Sequence, residues 1–174
     1  MNYGPLSNFN REWDNPPSCV IGLFDHDYEG IDYGFNKLSS NNFIKFAPVK
    51  DSKVHRNKKA AAMLLPIPSE REDYAKNKTL VIEFLFPESI VNKKTPDGRG
   101  LLFKYEKEIT RVGWKETSKK ESTELAWRKI SSGKDIFAQQ IVATCTQQEC
   151  DAFKTLFEGI IKLINECVYC HSKP

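Results

Sequence analysis

Val20-Ile21-Gly22-Leu23-Phe24-Asp25-His26-Asp27-Tyr28-Glu29-Gly30 is an apolar, β-branched run that stops abruptly at two aspartates and a glycine. The composition predicts a buried strand from Ser18 to Phe24, with Pro16-Pro17 blocking any regular element before it. Tyr28 to Leu38 should follow as a short helix, because Ile31, Phe35 and Leu38 recur on one face. A strand that meets carboxylates at its C-terminal end and turns into a helix is the usual edge of an α/β ligand site. Alternate strand side chains share a face, so Asp25 and Asp27 are expected to point the same way and His26 away from them. Two converging carboxylates repel unless a cation joins them. Mg²⁺ or Mn²⁺, hard ions that favour oxygen, suit such a pair. The plainer alternative is a pair of turn-forming or helix-capping aspartates.

Outward from this stretch, Asn42–Ala47, Ala60–Ile67 and Thr79–Phe86 read as strands. Between the first two lies a basic loop with Lys50, Lys53, His55, Arg56, Lys58 and Lys59, either solvated surface or a patch for a phosphate backbone. Leu101–Tyr105 reads as a further strand, and the Lys/Glu/Ser-rich stretch 115–124 as solvent-exposed. Two helices close the chain, one over Asp135–Thr144 and a long one capped by Thr146 with Glu149 three residues on. In the long helix Phe153, Leu156, Phe157, Ile160, Ile161, Ile164 and Val168 form a stripe of 3.6-residue period, suited to a core or a subunit interface.

The hydrophobic-Asp-x-Asp-x-x-Gly pattern at 20–30 resembles the second acidic motif of TOPRIM domains, found in topoisomerases, primases and OLD-family (overcoming lysogenization defect) nucleases. Ala62–Pro68, Val81–Glu88 and Gly133–Ala138 look like the order of segments in OLD-like TOPRIM proteins of bacteria. The resemblance implies an α/β fold, a Rossmann-like TOPRIM-type sheet flanked by helices, with the long helix at its C-terminal end. It implies a domain over 18–168, an irregular segment 1–17 and a tail 169–174. It also implies a metal-dependent DNA endonuclease module, in a setting such as phage defence. Asp25 and Asp27 would hold Mg²⁺ or Mn²⁺, Glu83 would be a third carboxylate, and Lys134 would stabilise charge on the phosphoryl group. A charge at Glu83 within the apolar run 80–86 must be exposed at a sheet edge, paired, or bound to an ion.

The pattern departs from the family upstream. TOPRIM domains begin with a strand ending in Glu, usually followed by Gly, and nothing in residues 1–24 matches it; Glu12 is a poor substitute. No Gly-x-x-x-x-Gly-Lys-Ser/Thr phosphate loop occurs, so the ATPase of OLD-like nucleases is missing. The sheet is therefore expected to be incomplete at its N-terminal side. The expected partners are DNA and either a homo-oligomer or a chain that supplies the missing acidic motif or ATPase. The rival from another class is a catalytically inactive interaction or regulatory subunit docking through its last helix. A haloacid-dehalogenase-type phosphatase with Asp25 as nucleophile also opens with Asp-x-Asp, but Glu29 stands where that pattern wants Thr or Val.

The bulk properties are those of a soluble domain. The 174 residues are 40% hydrophobic and 28% charged, and a net charge of +3 does not by itself argue for nucleic acid. No apolar run is long enough to cross a bilayer and no signal-peptide layout opens the chain, so a cytoplasmic protein without a membrane partner is expected. Five cysteines, an odd count, suit free thiols. Cys167 and Cys170 with His171 match a haem-attachment spacing in the wrong context, and Cys145 and Cys150 do not complete a standard zinc knuckle with them.

Overall fold

Small and β-branched residues build the first sheet. In the computed structural model, which describes residues 19–110, 117–121 and 127–168, four strands are Val20–Phe24 (β1), Phe43–Lys45 (β2), Ser52–His55 (β3) and Ala60–Leu64 (β4). Their spatial order is β1-β4-β3-β2. β1 and β4 run parallel, Val20 opposite Ala60 through Phe24 opposite Leu64, whereas β4-β3 and β3-β2 are antiparallel. The protein is thus mixed α/β with a mixed four-stranded sheet.

The parallel pair needs a crossover, and the stretch after β1 supplies it. Glu29–Gly34 form a wide π-helical turn and Phe35–Lys37 a 3₁₀ turn, where an ordinary helix over 28–38 was expected. The expected apolar face is nonetheless present. Phe35, Phe43, Ala60, Ala62 and Leu64 form a core cluster with Ile31, Leu38, Val20 and Phe24 around it. All five β4 residues are buried, so both faces of that strand are covered. On the other face, Gly159 of the C-terminal helix Ala152–Val168 lies against Met63 and Val49. Leu156, Gly159, Leu163 and Cys167 are buried on that helix, and Lys58, just before β4, pairs with Glu166 on it.

The chain divides into two compact units: residues 1–66 with 154–174, and residues 67–153. The second unit has its own core of Phe84, Leu80, Leu101, Phe137, Ile141 and neighbours. Its sheet is antiparallel, made of Leu102–Thr110 (β5), Thr117–Glu121 (β6) and Arg128–Ser132 (β7) in the order β6-β5-β7. Lys134–Ile136, Phe137–Ile141 and Val142–Thr144 are one helical stretch that passes from α to π to 3₁₀ geometry. Gly133 begins it at φ +90, where a Cβ would meet the Gly100 carbonyl oxygen at 2.2 Å. The capping box forms as expected: the Thr146 amide donates to Glu149 Oε2 at 2.7 Å and the Glu149 amide to Thr146 Oγ1 at 3.4 Å.

Two expected elements differ. Only Thr79–Leu80 of the run 79–86 is extended, and Ile82–Leu85 is a 3₁₀ turn, so Glu83 does not lie on a strand. The basic stretch 50–59 is not a plain loop, since Ser52–His55 is β3. Cys19, Cys145, Cys150 and Cys167 are free thiols, and burial pushes Cys167 up to about 12. Residues 1–17, Cys170, His171 and the rest of the tail lie outside the described residues. Among the described residues no helix is long and apolar enough to cross a membrane.

Candidate functional site

Strand β1 ends at Phe24, whose carbonyl accepts the Leu65 amide at 2.9 Å, and Asp25 follows at the sheet's C-terminal edge. The chain then folds sharply back. A Cβ on Gly30 would stand 2.3 Å from the Asp25 carbonyl oxygen and 3.0 Å from its nitrogen, so only glycine fits. The Gly30 amide donates to Asp27 Oδ1 at 2.6 Å. Asp25, Asp27 and Gly30 are therefore one tight structural unit, which accounts for the spacing Asp-x-Asp-x-x-Gly. Asp25 and Asp27 are each half-buried.

His26, between them, is buried and its Nε2 donates to the Leu65 carbonyl at 2.8 Å. Burial lowers its pKa most, partly offset by that bond and by Asp51, so the ring is neutral near pH 7. It anchors the turn to the segment after β4.

Glu83 and Lys134 are brought together in the other unit. Lys134 Nζ lies 2.8 Å from Glu83 Oε1, with the lysine half exposed and the carboxylate largely buried. Glu83 thus meets the second of its three expected fates, pairing. Among the described residues its buried Oε2 has no hydrogen-bond partner. The four residues singled out from sequence hence fall into two pairs, each within its own unit.

A divalent ion can be tested against these groups. Mg²⁺ commonly takes one or two carboxylates from protein and completes its octahedron with water and substrate phosphate. Asp27 could offer its second oxygen to such an ion, while its Oδ1 accepts the Gly30 amide proton as a turn-capping aspartate also does. The turn does not form a closed cage: among the described residues no three His, Cys, Asp or Glu gather to hold a metal.

The basic stretch expected from sequence gains Lys45 at the same end of the sheet. The register sets Lys45 directly opposite Lys53 on β2 and β3, and Ser52 opposite Met63, one residue before the Leu64 that faces Phe24. Lysine-rich composition signalled the patch, but the pairing needed β3 to be recognised. No family model matches the chain, and no curated protein or solved structure matches it.

Proposed function

We propose that the chain is the acidic edge of a TOPRIM-type, divalent-metal-dependent phosphodiesterase acting on DNA, of the OLD-like kind, and that a further acidic group from a partner chain completes it. The Asp25–Asp27–Gly30 turn at the end of a strand with a parallel neighbour carries this reading. When bound, Mg²⁺ or Mn²⁺ would polarise a phosphodiester oxygen and activate water for attack. The chain's own residues hold the two carboxylates in one turn: Gly30 lets the backbone close, and His26 ties the turn to Leu65. Glu83 Oε1 pairs with Lys134 in the other unit, so the proposal rests on Asp25 and Asp27. The test is calorimetric Mn²⁺ titration of wild type against Asp25→Asn/Asp27→Asn, with supercoiled plasmid cleavage in parallel. Wild type should bind and the double variant should lose that affinity; equal binding by both removes the metal site.

A second reading, an interaction subunit without catalysis, is favoured by one observation. Phe157 and Ile161 stay 57% and 56% exposed on the C-terminal helix, and Ile164 continues the same stripe. This reading expects concentration-dependent association in sedimentation, abolished by Phe157→Asp, together with an inert plasmid.

A further inference from the structure

A cavity of about 290 Å³ opens beside the β2–β3 hairpin, with Lys45, Lys50 and Lys53 on its lining against a single acid, Asp51. Phe46 and Val49 contribute apolar wall. Like charges directly opposite on antiparallel strands are destabilising, and Lys45 and Lys53 are such a pair. Lys53 Nζ donates to the Phe35 carbonyl at 2.9 Å and rests 4.4 Å from the Phe35 ring centre. Burial, and then the Lys45 charge, lower its pKa. Asp51 turns the hairpin in the left-handed region, at φ 49, which aspartate tolerates as a single turn residue.

The cavity also stands at an informative place. Phe24, Leu64, Ser52 and Lys45 lie at one end of the sheet, so the lysines flank the edge from which Asp25 emerges. Lys53 is two strands from β1, about 10 Å at the usual strand spacing. A nucleic-acid strand covers that span in about three nucleotides, at roughly 3.4 Å each along a helix axis.

We propose that this cavity binds a phosphodiester of a DNA strand, its phosphate between Lys45 and Lys53 and its sugar or base against Phe46 and Val49, a few nucleotides from the Asp25–Asp27 turn. The choice of polymer rests on the proposed nuclease reading; the anion site does not. An anion there neutralises the opposed ammonium pair. Asp51 is the one carboxylate on the lining, and three lysines outnumber it.

The test uses the full chain in EDTA, with a short fluorescent single-stranded oligodeoxynucleotide followed by anisotropy. Lys45→Gln/Lys50→Gln removes two exposed charges and spares Lys53, whose interactions with Phe35 are structural. Lys76→Gln/Lys104→Gln, exposed in the other unit, controls for net charge. The pocket variant should bind about tenfold more weakly, with a salt slope shallower by about 0.7 for each phosphate it no longer neutralises, while the control stays within about twofold. Asp25→Asn/Asp27→Asn should bind the oligonucleotide at least as tightly as wild type in EDTA, because two carboxylates no longer repel the strand, so a failed metal titration would leave this site standing. Equal weakening of pocket and control variants, or no binding by wild type, overturns the proposal. Inorganic phosphate that displaces the strand at matched phosphate concentration would assign the pocket to free phosphate and overturn the DNA assignment.

Discussion

Glu88 holds two buried arginines at once. It accepts from Arg71 Nη1 at 2.9 Å and from Arg128 Nη1 and Nη2 at 2.6 and 3.1 Å. Arg128 is 1% exposed and lies over the rings of Phe103, Phe84 and Tyr74. Burial alone would raise the Glu88 pKa, but the hydrogen bonds from Arg128 and Arg71 outweigh it and bring it from 4.5 down to about 2. A depressed carboxylate stabilises the fold above its unfolded pKa and loses that contribution as pH falls toward the folded one. Stability of the second unit should therefore decline between pH 4.5 and about 2, and Glu88→Gln should flatten that decline. At pH 7 the substitution should cost about 3 kcal/mol, the low end for stripping one partner from a buried pair, because Glu88 is 39% exposed and solvent screens it. Urea melts of both proteins across this pH range check it; an identical pH dependence would refute the assignment.

Glycine acts differently in the two elements that enclose β1 and β4. Gly30→Ala would push a methyl against the Asp25 backbone, which cannot yield without opening the turn. It should cost about 1–3 kcal/mol and weaken metal binding with it. Gly159→Ala meets only the far end of Met63, at 2.9 Å, which can rotate aside. Relief from glycine's backbone entropy within a helix should make it neutral or stabilising by up to about 1 kcal/mol. Thermal melts separate the two, and a Gly30→Ala protein as stable as wild type would mean the turn is loose. The same elements show what could be read from sequence. The long helix was legible because its apolar residues repeat over four turns and its capping box is local. β1 and the Asp25–Asp27–Gly30 turn were legible because every residue of the pattern is contiguous. The run 79–86 was not: a short apolar stretch has no period that separates strand from turn, and its 3₁₀ geometry depends on Phe84 reaching a core built by distant residues. β3 was obscured by its charges. Lys53 and His55 alternate with Ser52 and Val54, and only the pairing with β2 and β4 reveals which face is buried.

At the scale of the whole molecule, the first unit is assembled from both ends of the chain, with residues 67–153 intervening in sequence. Its sheet needs the C-terminal helix, because Met63 and Val49 lie beneath Gly159. A chain ending at Phe153 should therefore lose hydrogen-exchange protection at the β4 amides while the amides of β7, in the second unit, keep theirs. Undiminished protection at Ala61–Met63 in the shortened chain would show that the helix is dispensable.

On a ribosome this arrangement imposes a wait. The strands of the first sheet emerge well before the layer that shields one of their faces, which is translated some 90 residues later. At about 5–20 residues per second that is a delay of roughly 5–20 seconds. Throughout it, an alanine- and methionine-lined face stands open to chaperones, or to the same face of a neighbouring nascent chain.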